Sequence, residues 1–427
     1  MNIKKKLLRT TMIVAAGLVT CFATPRAQGT TLYVGTCHAG GKATIGDALA
    51  VATPGTIIDV CPGTYAEQVT ITLDNITLQG IPYTHEGVVT DAAVIIPPAG
   101  GLVGNGTTFS TDDSSSVAVA QIIVQNAEGV TISHITVDAQ STGNCGVGML
   151  MGIYYQNSTG TVTDSVARNQ IEGSGMGNQC GWGIAAESNG TGPAGASPAL
   201  TVSNCSVHNF QKNGIVVRGN NTSGPDLTAT GNTVVGIGAT TVIGQNGIEV
   251  AFGASGSVKG NYVSSLNDTS DNSASGILFY SSTGSAVAET NIVENANTGI
   301  ADENNTGTTI NSNHIGGSQM LDGIDLCSTG ATANSNFIYN SGNSGIHIDD
   351  GCGSGTSEIV KSNTINESCA GIMLGSSNTS TTAPNTYFND GTETQSGDTC
   401  VPPNGPTNLV TRKSGGELTT KHVKPRP

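Results

Sequence analysis

From Gly152 onward, apolar and polar positions alternate in short bursts, each opened by Gly-Ile. The phrase reads MGIYYQ at Gly152, WGIAAE at Gly183, NGIVVR at Gly214, NGIEVA at Gly247 and SGILFY at Gly276. It continues as TGIADE at Gly299, DGIDLC at Gly323, SGIHID at Gly345 and AGIMLG at Gly371. A second phrase, Asn-x-(Ile/Val), keeps step with it at Asn232, Asn261, Asn291, Asn313, Asn336 and Asn363. The Gly-Ile intervals run from 22 to 33 residues, and two phrases recurring together at such a period predict a solenoid. Alternating side chains on a strand point to opposite faces, so the residues one and three after each glycine share a face. That column is apolar from Ile153 and Tyr155 to Ile372 and Leu374, with Asp302 its one interruption. No single repeat buries its own apolar face; stacking makes one continuous core. The glycines suit tight corners, and the asparagines suit hydrogen-bonded ladders between coils.

Upstream, the spacing of TIGDALAVA (Thr44 to Ala52) predicts a short amphipathic helix that caps the open end of the solenoid. It is followed by TIIDVCPGTYAEQVTITLDNITLQG, read as strand, Pro-Gly turn, strand, turn, strand. The helix, this phrase (Thr56, Ile57, Val60, Pro62, Gly63, Thr64, Tyr65, Glu67) and the repeats together resemble the pectate-lyase-like superfamily. The resemblance spans roughly Thr31 to Leu374. It implies an all-β, right-handed parallel β-helix with an N-terminal capping helix. Residues 85–116 read as a polar excursion from the coils.

Residues 1–29 read as a secretory signal. Lys4, Lys5, Lys6 and Arg9 precede a short apolar stretch, Met12 to Phe22, with small residues after it. The β-helix domain is expected over 30–401, with regular coils over 146–375, and 402–427 as a flexible tail. Loss of the signal removes five basic residues and takes the net charge from −15 to −20. Such an acidic surface argues against nucleic acid and anionic lipid as partners. A secreted or periplasmic monomer, with no membrane contact beyond the signal, is the expectation.

In an exported chain the cysteines read first as disulfides. Cys37 with Cys61 and Cys327 with Cys352 are the leading pairs. Cys145 with Cys180 and Cys369 with Cys400 follow, leaving Cys205 as the odd one.

The residues two and four after each glycine are expected to face outward on one long sheet. Ionisable groups thicken there in three successive coils: Asp302 and Glu303, Asp322 and Asp325, then His347, Asp349 and Asp350. Strand spacing puts Asp325 and Asp349 on a diagonal, roughly 8 Å between Cβ positions. That suits an inverting acid–base pair with a water between. His347 would tune or relay a proton, with Asp350 and Glu303 in support. The same carboxylates suit Ca²⁺ through oxygen ligands, or a merely solvated surface. Glu249, Tyr280 and Arg218 are candidates to line a sugar-binding groove.

The resemblance implies a polysaccharide partner, yet its activity motifs are missing. Pectate lyases of the superfamily pair an arginine base with acidic Ca²⁺ ligands, but their WiDH and RxPxxR phrases are absent. Asp349-Asp350 matches the paired aspartates of polygalacturonases, with no GHG or RIK phrase after it, and the epimerase phrase DPHD is also missing. The expectation is therefore a β-helix that binds or cleaves an extracellular polysaccharide along its outer parallel sheet. Its rival is a non-catalytic, adhesin-like scaffold.

Overall fold

The computed structural model describes residues 29–400, apart from 86–87, 91–92, 111–114, 174–176, 189–197, 284–285, 318–319, 350–356, 376–380, 389 and 398–399. Residues 1–28 of the expected signal and the whole expected tail lie outside the described residues. Among them, no helix is long and apolar enough to cross a membrane.

The chain winds as a right-handed parallel β-helix whose coils contribute one strand each to three sheets of 13, 13 and 12 strands. One coil runs through Ala199–Ser203, Ser206–His208 and Asn213–Arg218 before the next begins at Asp226–Thr230. The Gly-Ile strands stack in the register that their sequence alignment predicts. Ile153 faces Ile184, then Ile215, Ile248, Ile277, Ile300, Ile324, Ile346 and Ile372. All nine are fully buried in one apolar core running the length of the helix.

The first corner of each coil explains the Asn-x-(Ile/Val) phrase. A left-handed residue turns the chain there: Asn204, Gly231, Gly260, Thr290, Ser312, Ser335 and Ser362 all have φ between 54° and 65°. The residue after each is a rung of a ladder. Asn261 donates its backbone N–H (3.0 Å) and its Nδ2 (3.0 Å) to Asn291 Oδ1, and Asn291 does the same to Asn313 Oδ1 at 2.9 Å. The pattern starts at Asn232 and ends on Asn385. Cys205 occupies the same column one coil earlier, its N–H donating to Asn232 Oδ1 at 2.9 Å. This buried cysteine, which is in no disulfide, is a ladder position held by a small side chain.

The glycines of the repeat serve a different purpose from the one expected. None of the nine has a left-handed φ. A Cβ at Gly299 would instead lie 2.4 Å from Gly323 O and 2.3 Å from Ile315 Cγ2. Close approach of the next coil, not a corner, excludes a side chain.

The predicted capping helix forms over Ile45–Leu49, shorter than the apolar spacing implied. Thr44 Oγ1 accepts from Asp47 N at 2.9 Å, and Glu67 takes the N–H groups of Ile45 (2.9 Å) and Gly46 (3.0 Å). Ile45 and Ala48 face the first coil and join its core. The 85–116 stretch is not wholly an excursion. Ala93–Ile96 enters the sheet as a regular strand, and Thr108–Ser110 pairs antiparallel with Ser115–Gln125.

Disulfides join Cys37–Cys61, Cys145–Cys180 and Cys369–Cys400. Cys327 is also disulfide-bonded, and its expected partner Cys352 lies outside the described residues.

Asp302 interrupts the apolar inner column of the Gly-Ile strands, and it is fully buried. Its carboxylate accepts from Asn305 Nδ2 at 2.5 Å, Thr308 Oγ1 at 2.8 Å and Ser328 Oγ at 2.5 Å. Burial nevertheless pushes its pKa above the ordinary aspartate value, and the charge of Asp325 adds to the rise. A folded-state value above the unfolded one stabilises the fold fully only below the unfolded pKa. That share is lost as pH climbs through the raised value. Urea midpoints across pH 3–8 are therefore expected to show a falling component in the native protein that Asp302→Asn lacks; superimposable profiles would refute it.

Candidate functional site

The outer face of the Gly-Ile sheet is not the open surface that alternation predicted. Two residues after each glycine, Tyr154, Ala185, Val216, Glu249, Leu278, Ala301, Asp325, His347 and Met373 are all buried. A second apolar cluster, separate from the coil interior, covers one end of this face; it includes Leu150, Tyr154, Trp182, Ala185 and Val216. Cys180 belongs to it and Cys145 packs against it. At the C-terminal end, Met373 packs with Ala370 and Cys400. The signal was present in the sequence. Most of that outward column is apolar, and parallel strands covered on both faces read as near-continuous apolar runs.

Where the covering ends, a recess opens over strands Trp182–Glu187, Asn213–Arg218, Asn246–Ala251 and Ser275–Tyr280. Arg218, Glu249 and Tyr280, the three residues expected to line a groove, all line it. Register explains the meeting: Arg218 faces Ala251, which faces Tyr280, while Glu249 lies one coil beyond Val216. The sequence did not single out Lys212, Asn213, Phe252 or Gln179, which complete the wall with Trp182, Met149 and Leu278. Trp182 both lines the recess and packs, since it belongs to the apolar cover.

The recess is ordered by its charges. Arg218 is buried with its Cζ 4.2 Å from the Phe252 ring centroid and 5.6 Å from that of Trp182. Its Nε lies 3.9 Å from Glu249 Oε1, while Glu249 Oε2 accepts from Asn246 Nδ2 at 2.8 Å. The aromatic planes hold the guanidinium as cation–π partners and leave its edge for hydrogen bonding. Lys212 Nζ donates to Gly244 O at 2.6 Å. Burial pulls its pKa down, against a smaller opposing effect of Glu249. On the covered side, Tyr154 OH donates to Glu187 Oε2 at 2.7 Å, and burial first, then the Glu187 charge, holds the phenol protonated.

Two strands beyond the last strand of the recess, about 10 Å at the usual strand spacing, lie the expected catalytic residues. Asp325 pairs in register with His347, and both are buried. Asp349 follows the end of its strand, is half-buried, and donates its N–H to Leu326 O at 2.9 Å. One donor atom from each of the three lies within 4.8 Å of the others. These are distances between side-chain donor atoms of neighbouring coils, not between backbone positions. Glu303 is half-buried opposite Cys327 and is not a member of the converging set. Asp350 lies outside the described residues. Asp322 accepts from Asn343 Nδ2 (2.9 Å) and Ser344 Oγ (2.6 Å), a role within the coil.

Residues 240–388 match the family model described as right handed beta helix region. That match agrees with the right-handed parallel β-helix fold of the chain. This β-helix is similar to the Streptococcus pneumoniae surface protein and adhesin PfbA, at 12% identity and a TM-score of 0.52, over 82% of this chain and 93% of that one. It is also similar to the A-module of the mannuronan C-5 epimerase AlgE4 of Azotobacter vinelandii, at 15% identity and a TM-score of 0.45, over 82% and 91% of the two chains. An alginate lyase from Paenibacillus sp. aligns at 13% identity and a TM-score of 0.35, over 86% and 98%. Likenesses at such identities speak of fold alone. No curated protein sequence matches the β-helix.

Proposed function

We propose that this protein is exported and binds a polysaccharide at the recess around Arg218 and Glu249. The observation that carries this reading is the wall itself: Trp182, Phe252 and Tyr280 beside a partly engaged arginine–carboxylate pair and the Asn213 amide. Aromatic faces cover the apolar face of a pyranose, while the guanidinium edge, carboxylate and amide exchange hydrogen bonds with its hydroxyl groups. The fold supports the same reading, because a long parallel stack can present successive subsites to a linear polymer. Disulfides and an acidic surface suit a place outside the cytoplasm.

Calorimetric titration of the mature protein against neutral and uronate-rich polysaccharides tests it. Tyr280→Ala is expected to weaken binding about tenfold or more, with the thermal melt nearly unchanged because Tyr280 sits at the rim. Reducing ends and unsaturated products followed in the same mixtures report any hydrolysis or elimination. Silence on every polysaccharide, or full affinity in both Tyr280→Ala and Glu249→Gln, would overturn the proposal.

A further inference from the structure

The Asp325–His347–Asp349 cluster lies apart from the recess and has a chemistry of its own. Two of its three members are almost fully buried, and a carboxylate cannot shed its hydration shell without compensation. A dication among the three donors would offset carboxylate charge while the imidazole stays neutral.

The distances favour the dication. His347 Nδ1 and Asp325 Oδ1 are 3.5 Å apart, whereas charge-assisted hydrogen bonds are found at about 2.7–2.9 Å. Ligands at about 2.0–2.1 Å around a tetrahedral metal stand roughly 3.3–3.4 Å from one another. The third donor, from Asp349, lies within 4.8 Å of both. Asp349 follows a strand end and is the half-buried member, so it can adjust while Asp325 and His347 are held by the sheet.

We propose that Asp325, His347 and Asp349 form a binding site for a zinc-type divalent cation. The donor set decides the class. Ca²⁺ takes six to eight oxygen ligands and makes little use of imidazole, whereas nitrogen with carboxylate oxygen suits Zn²⁺ and its neighbours. Three protein ligands leave a fourth position for water, the pattern of an open rather than a closed zinc site. The sequence alone also allowed Ca²⁺ at these carboxylates, and the donor set is what distinguishes the two ion classes. The site does not rest on the polysaccharide reading, since it lies two strands beyond the last strand of the recess and shares no residue with it.

The test uses tag-free mature protein, stripped with chelator and titrated separately with Zn²⁺, Co²⁺ and Ca²⁺ in a calorimeter. One Zn²⁺ per chain is expected, with visible Co²⁺ absorption of a tetrahedral type and no comparable Ca²⁺ binding. His347→Ala and Asp349→Asn are each expected to weaken Zn²⁺ binding at least tenfold and to abolish the Co²⁺ bands. If the buried His347→Ala variant fails to fold, the half-buried Asp349→Asn variant decides the matter alone. Zn²⁺ binding unchanged in Asp349→Asn, no Zn²⁺ binding in the native protein, or Ca²⁺ binding in preference to Zn²⁺ would each overturn the proposal.

Discussion

Replacing Asn291 with Ala is expected to destabilise the protein by about 2–6 kcal/mol, the largest effect of any polar substitution considered. Asn291 is fully buried and makes four hydrogen bonds through its side chain. It accepts from Asn261 N and Nδ2, and donates to Val258 O at 2.9 Å and to Asn313 Oδ1 at 2.9 Å. Alanine leaves the Asn261 N–H and the Val258 carbonyl in the core without these partners. Each orphaned group costs about 1–3 kcal/mol. Asn313 Oδ1 keeps the backbone N–H of residue 291, so the damage is confined to one junction. Aspartate would keep the acceptor but introduce a buried charge, and should be at least as harmful. Urea unfolding followed by circular dichroism reads the change. A loss below about 1 kcal/mol, the usual net worth of one hydrogen bond, would mean that the ladder contributes nothing beyond it.

The second large effect is expected at Gly299→Ala, which should cost about 1–3 kcal/mol through overpacking. The added methyl would meet Gly323 O at 2.4 Å and Ile315 Cγ2 at 2.3 Å. A side-chain methyl can rotate away, but a carbonyl of the neighbouring strand cannot move without straining the ladder it belongs to. The same substitution at Gly330, which has a left-handed φ of 70° and open space around its missing Cβ, separates crowding from conformational cost. Gly330→Ala should show only the backbone penalty, about 1 kcal/mol. Equal melting-temperature losses at the two sites would refute the crowding argument.

Much of this protein is legible because a solenoid repeats its physics. The Gly-Ile register, the inward column and the asparagine phrase each recur nine or six times, so chance coincidences average out and the shared geometry stands clear. The disulfides were readable for a related reason: pairs such as Cys369 and Cys400 come together about one coil apart along a regular stack.

The site was legible only in part. Arg218, Glu249 and Tyr280 meet in one recess because register along a parallel sheet follows directly from aligning the repeats. Lys212, Phe252 and Gln179 stand outside those aligned strands, and no period places them. Asp325 and Asp349 lie on neighbouring coils, as aligning the repeats places them, and the meeting of their donor atoms with that of His347 depends on side-chain torsions that no repeat encodes.

The sequence by itself determined the coil, its register, its inner core and its corner ladder, because each depends on neighbours one repeat away. Only the tertiary structure decided that the outer face is covered, that the recess opens where that cover stops, and that two acids close on one histidine. Those outcomes depend on segments folding across several coils and on side-chain torsions, which leave no period in the chain.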